Sequence, residues 1–223
     1  MTAKPNTAII LLDRNKLDYF SPENNQIYTY QFPENMVRYA EIVNDKELAM
    51  QINLFINYHK LPSARIIYIL SQQITLEKNM AEDKTDNQQT MVDEFLYHLP
   101  FESNIHKIYK LEKGYLISAV NSTFLKSFTE NFTKAGFHTM TVVPASVTGI
   151  NINYLDSPTV GFLLAKTDFL KEQSMTGERE DETHKPKKEP DKVMGLNRIY
   201  LLVTVFILLL SFLLFMLYRQ SAG

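Results

Sequence analysis

The segment Ile199–Tyr218 (IYLLVTVFILLLSFLLFMLY) constrains this chain more than any other. It is 20 residues long and holds no charged residue, no proline and no glycine. At ~1.5 Å per residue a helix of that length spans roughly 30 Å, the thickness of a bilayer's hydrocarbon core. Residues 199–218 are therefore expected to form one transmembrane helix. It opens at Ile199, and Tyr200 and Tyr218 sit near its two ends, where rings with a polar tip favour the headgroup level. Lys185, Lys187, Lys188, Lys192 and Arg198 precede the run, while Arg219 alone carries positive charge in the tail, residues 219–223. Five cations against one put the N-terminal side in the cytoplasm. The expectation is a single-pass protein of the inner (cytoplasmic) membrane. The start of the chain (MTAKPNTAII) has too short an apolar stretch to read as an export signal.

Residues 171–198 change character. The stretch EQSMTGEREDETHKPKKEPDK is polar and has no apolar period, so it has nothing to bury and is expected to be a disordered, charged tether. Its basic block, next to the apolar run, reads either as a solvated flank or as a contact for anionic lipid. The chain has no cysteine, which excludes disulfides and Cys-based zinc sites. A net charge of −2 gives no footprint for nucleic acid.

Residues 1–170 are long enough for one domain with a core, or for two small subdomains. Ala8–Asp13 (AIILLD) and Ala64–Leu70 (ARIIYIL) are short apolar runs read as buried strands. Leu17–Phe20 and Gln26–Phe32 join the first of them in a meander, turned at Ser21–Asn25. A helix is expected through Leu48, Ile52, Phe55 and Ile56, capped by Asp45. Met91–Leu99 is a second helix. Ile105–Leu111 and Tyr115–Val120 form a hairpin. Ser122 caps a third helix, Thr123–Ala135, whose Phe124, Phe128 and Phe132 share one face and read as core. Phe137–Val143 is a strand, Ala145–Leu155 a helix and Val160–Lys166 a last strand. Strands alternating with helices predict α/β layers.

The chemistry-bearing patterns are sparse. No phosphate-binding loop, dinucleotide fingerprint, nucleophile elbow or His-Glu-x-x-His appears, and there are only seven glycines from which to build a phosphate cradle. The five histidines are scattered. Asp13 is the one carboxylate placed at the end of a buried strand. It is read either as a holder of a magnesium ion or as a turn-forming Asp beside Arg14 and Asn15. On these residues no enzyme activity, cofactor or metal is expected.

Three stretches carry a resemblance: Phe95–Glu102 (FLYHLPFE), Gly114–Asn121 (GYLISAVN) and Ala135–Pro144 (AGFHTMTVVP). With the order of elements, they resemble the first half of the actin-like proteins of the PilM and GspL type, over about residues 7–166. Those proteins are cytoplasmic parts of the type IV pilus and type II secretion inner-membrane platforms. The resemblance implies a truncated actin-like (ribonuclease H-like) α/β subdomain with a small inserted α/β subdomain, at about residues 75–143. It also marks Asp13 as the counterpart of the family's first phosphate-binding turn. Here Arg14, Asn15 and Lys16 follow, where the family has glycine and small hydroxylated residues. The family's second half, which closes the nucleotide cleft, does not follow Lys166. Ile152-Asn153-Tyr154-Leu155 resembles the Ile-Asn-Leu-Leu segment with which PilN docks onto PilM; a plain helix end is the other reading.

The resemblance implies a non-catalytic, membrane-anchored adaptor or scaffold. Its partners would be platform proteins and their motor ATPase, with a homodimer left open. Two alternatives stand beside it: a nucleotide-responsive switch that binds Mg-ATP through Asp13 with a partner completing the cleft, and an unrelated tail-anchored adaptor.

Overall fold

The computed structural model describes residues 6–81 and 88–176. They belong to the first of two units, divided after Gly177. The expected anchor 199–218, its basic flank and the tether from residue 177 onward lie outside the described residues. Among the described residues no helix is long and apolar enough to cross a membrane.

The chain begins with the meander β1 (Thr7–Leu12), β2 (Lys16–Ser21) and β3 (Gln26–Gln31), each strand antiparallel to the one before. A two-by-two-residue hairpin follows, β4 (Val37–Arg38) and β5 (Glu41–Ile42). Helix α1 (Asp45–Tyr58) then leads to β6 (Arg65–Leu70), which returns parallel to β1. After β7 (Thr75–Met80), α2 (Gln88–Tyr97), β8 (Asn104–Lys110), β9 (Tyr115–Asn121) and α3 (Ser122–Lys134), strand β10 (His138–Pro144) pairs parallel with β6. The main sheet has the order β10-β6-β1-β2-β3, and β7-β9-β8 form a separate antiparallel sheet. The described residues close with a 3-10 turn (Ala145–Val147), α4 (Ser157–Ala165) and α5 (Thr167–Glu172).

The inner strands of the main sheet are buried on both faces, which is why β1 and β6 read as unbroken apolar runs rather than alternating ones. Ile10, Leu12, Tyr19, Tyr68 and Val142 face α1 and α3, which contribute Leu48, Ile52, Phe55, Phe124, Phe128 and Phe132. Ile9, Leu11, Ile67, Ile69 and Val143 face the opposite layer, built from Ile152, Leu155, Val160, Leu163 and Leu170. The phenylalanine stripe of α3 is core, as its spacing suggested.

Several expectations are corrected. Val160–Lys166 is not a strand but most of α4. Asp156 caps that helix, accepting the Thr159 N–H at 2.8 Å, and Pro158 follows in the first turn; proline there has no N–H to waste. Ala145–Leu155 is one 3-10 turn and a loop. Gly149 takes a positive φ of 87°, and the Thr148 hydroxyl bonds the Ala145 carbonyl at 2.7 Å in competition with a helix. The inserted unit does not run to residue 143. Its sheet ends at Asn121, while α3 and β10 belong to the main layers. The caps shift by one: Asn44 accepts from Glu47 at the start of α1, and Asn121 caps α3. Strand β7 was not foreseen, because only its ends, Thr75 and Met80, are buried.

The folded body also extends past the expected tether boundary at residue 171. Beyond α5 the chain runs along the edge of β10. The Met175 N–H donates to the Val142 carbonyl at 2.7 Å, and the Ser174 hydroxyl accepts the Val142 N–H at 3.2 Å. The inserted sheet is tied to the same place. Lys107 of β8 donates to the carbonyls of Glu172 and Ser174, at 2.9 and 2.8 Å. Desolvation holds its pKa below the usual lysine range.

Candidate functional site

In open α/β sheets, ligand sites gather at the carboxyl ends of the parallel strands. Here that end carries Asp13 after β1 and Ser71 after β6. Both are buried. The Ser71 hydroxyl donates to Asp13 Oδ1 at 2.7 Å, and the Arg14 N–H donates to the same oxygen at 2.7 Å. Asp13 thus serves the turn and the neighbouring strand, and ties β1 to β6 at their tips. Hydrogen bonds to a charged group contribute about 1.5–3 kcal/mol. Ser71→Ala is expected to cost an amount in that range, read as a lowered urea midpoint with an unchanged slope.

A cleft of about 390 Å³ opens beside this turn, lined by Arg14, Asn15, Glu34, Arg38, Tyr39 and Gln73 among others. The Arg14 guanidinium lies over the Tyr39 ring, 4.8 Å from its centroid. Tyr39 and Ala40 form the tip of the β4–β5 hairpin and both have positive φ, 54° and 58°. This is the geometry of a two-residue hairpin turn, normally built from Asn and Gly. Each residue here costs about 1–2 kcal/mol in a left-handed conformation. The turn is held by contacts outside it: Ala40 is buried, and Asn121 Nδ2 reaches its carbonyl at 3.5 Å. A second cleft, about 370 Å³, lies on the other side of that hairpin. Glu41 and Ile42 line it with Phe101, Glu102, Asn121 and Thr123.

The residues singled out from sequence do not converge on one place. Asp13 is at the strand tips. Ile152 and Leu155 are buried in the layer beneath the sheet, so the proposed docking segment spends its apolar side chains inside the domain; only Asn153 and Tyr154 are exposed. Sequence reading missed Ser71 and the strained Tyr39–Ala40 tip. Ser71 carried the same signal as Asp13, a polar residue directly after a buried parallel run. The hairpin carried none, since neither residue type favours positive φ.

No protein-family model matches the chain, and no curated protein is significantly similar to it. Among solved structures, the fold is similar to a chain of the PilM–PilN type IV pilus biogenesis complex, at 10% identity and a TM-score of 0.44, over 65% of this chain and 48% of that one. It is similar to the cytoplasmic domain of EpsL, an inner-membrane component of the type II secretion system of Vibrio cholerae. There the identity is 11% and the TM-score 0.40, over 67% of this chain and 59% of that one. A Bacteroides thetaiotaomicron protein with an actin-like ATPase fold and unknown function is similar at 10% identity and 0.39, over 66% and 54%. The chain spans between about half and three-fifths of the length of these structures.

Proposed function

We propose that this protein is a non-catalytic, membrane-anchored adaptor of a type IV pilus or type II secretion-like assembly platform, with its α/β domain in the cytoplasm. The observation that carries the non-catalytic part is the strand-end turn. Asp13 spends one carboxylate oxygen on Ser71 and on its own turn, and Arg14-Asn15-Lys16 supply no glycine for backbone to approach a phosphate. The 20-residue apolar run and the five cations before it support the anchor and its orientation. The three stretches that resemble PilM and GspL support the choice of platform. A tether gives a weak docking surface an effective concentration of the order of millimolar, so modest contacts suffice for an adaptor.

The test is capture in the host. The full chain, tagged at its N-terminus, is crosslinked in intact cells and its partners identified. Enrichment of pilus or secretion platform proteins and their motor ATPase is expected. Recovery of none of them from cells that express the machinery overturns the proposal. ATP affinity that Asp13→Ala abolishes would favour the nucleotide-responsive switch instead.

A further inference from the structure

The main sheet has two edges, and they are treated differently. The β10 edge is closed by the chain that runs beside it through Ser174 and Met175, and it carries a register shift between Thr139 and Thr141. Such covers and bulges protect an edge from pairing with another strand. Among the described residues the β3 edge has neither. Its six residues, Gln26-Ile27-Tyr28-Thr29-Tyr30-Gln31, pair with β2 in unbroken register and include no charge and no proline.

The free hydrogen-bonding groups of that edge can be assigned. The Phe32 N–H donates to the Asn15 carbonyl at 2.7 Å, continuing the β2–β3 ladder by one pair. In an antiparallel ladder, alternate residues exchange hydrogen bonds with the partner and the others point away. Tyr28 and Tyr30 therefore bond to β2. Ile27, Thr29 and Gln31 direct their N–H and C=O groups outward, and none of these groups has a partner among the described residues.

We propose that two copies of this chain pair through β3, antiparallel, about a two-fold axis at Thr29. A strand that pairs with its own copy must match residues of the same outward set. Centring on Thr29 does so: Thr29 faces its symmetry mate, and Ile27 faces Gln31. Between them Tyr28 of one copy faces Tyr30 of the other, in the non-hydrogen-bonded positions where opposed side chains come closest. Both contacts occur twice, as an isologous interface requires.

The surface continues beyond the strand. Tyr28 lies against His59, with ring centroids 4.2 Å apart, and Tyr30 lies 5.8 Å from Phe55 and bonds Gln51. Helix α1 thus flanks this edge. Its outward side carries Met50, Leu54 and Tyr58, spaced four residues apart and 49, 53 and 82% exposed. The two-fold that joins the strands sets the two copies of this stripe side by side.

The chain has no cysteine, so one substitution gives a clean readout. Opposed residues of a hydrogen-bonded pair have Cα atoms about 5.5 Å apart, within the roughly 4.4–6.8 Å that a disulfide bridges. The full chain with Thr29→Cys, treated in intact cells with an oxidant or a short thiol crosslinker, is expected to run mainly as a covalent dimer. Lys126→Cys, exposed on α3, is expected to stay monomeric. Light scattering of the full chain in detergent is expected to give a dimer, and Thr29→Lys, which opposes two ammonium groups on the axis, a folded monomer. Crosslinking at Thr29→Cys no stronger than at Lys126→Cys, or a Thr29→Lys protein that is still dimeric, overturns the proposal. Neither result bears on the platform partners, so this inference and the adaptor reading fail separately.

Discussion

Truncation of Phe132 to alanine is expected to destabilise the folded domain by about 3–5 kcal/mol, the range for a large aromatic removed from a packed core. The position is central. The ring of Phe132 lies parallel to Tyr19 at 6.4 Å, and Phe137 and Tyr68 meet it edge-on at 5.5 and 6.4 Å. Those three partners come from β2, the segment leading into β10, and β6, so the cavity would open where three segments meet. Domains of this size are stable by roughly 5–15 kcal/mol, so the loss is a large share of the whole. Phe169, 42% exposed on α5, is the control: its truncation is expected to stay within about 0.5–1 kcal/mol. Urea unfolding of the full chain in detergent, followed by circular dichroism, separates the two. Equal midpoint shifts for Phe132→Ala and Phe169→Ala would mean that Phe132 is not packed in the core described above.

How legible this was in the sequence depended on how much of each element is buried. Strands β1 and β6 are covered on both faces, so nearly every residue is apolar and the run announces itself. Helix α3 is covered on one side, and Phe124, Phe128 and Phe132 repeat at the helical spacing. Strand β7 is different: its middle residues, Leu76 to Asn79, are exposed or half-buried, so no pattern marks it. Helix α4 failed for the opposite reason. Val160, Phe162, Leu163 and Leu164 form a short apolar run, and periodicity alone does not separate a buried strand from a buried helix turn. The Asp156-Ser157-Pro158 start signal before it was the deciding information. At the candidate site, Asp13 was visible because a carboxylate at the end of an apolar strand is unusual. Its partner Ser71 lies 58 positions away, and pairing the two required the parallel register of β1 and β6. The free edge of β3 was likewise out of reach. The strand itself was readable, but which of its residues point outward follows from the hydrogen bond of Phe32.

The core's tyrosines lead to the second large effect, alkaline unfolding. Tyr19, Tyr68 and Tyr109 bury their hydroxyls, and burial pushes the pKa of each well above the usual phenol value, with the Glu77 charge adding to the rise at Tyr109. In the unfolded chain they ionise near the ordinary value of about 10. Above that pH the folded state therefore holds more protons than the unfolded state, and stability falls as pH rises. It is fully present below pH ~10, and each tyrosine removes about 1.4 kcal/mol per pH unit above it. Three acting together give a slope of roughly 4 kcal/mol per unit, enough to unfold a domain of ordinary stability within about one to four units. Lys107 works the other way, since its desolvated ammonium gives up its proton more readily when folded, but it is one group against three. The chain has no tryptophan, so tyrosine absorbance reports ionisation without interference while circular dichroism reports the fold. Unfolding and ionisation of the buried phenols are expected to coincide. Tyr19→Phe removes a buried hydroxyl that has no hydrogen-bond partner among the described residues, so it is expected to leave stability at neutral pH unchanged or raised and to flatten the alkaline slope by about a third. Phenols that titrate near pH 10 with the fold intact, or a slope unaltered by Tyr19→Phe, would place these side chains in water rather than in the core.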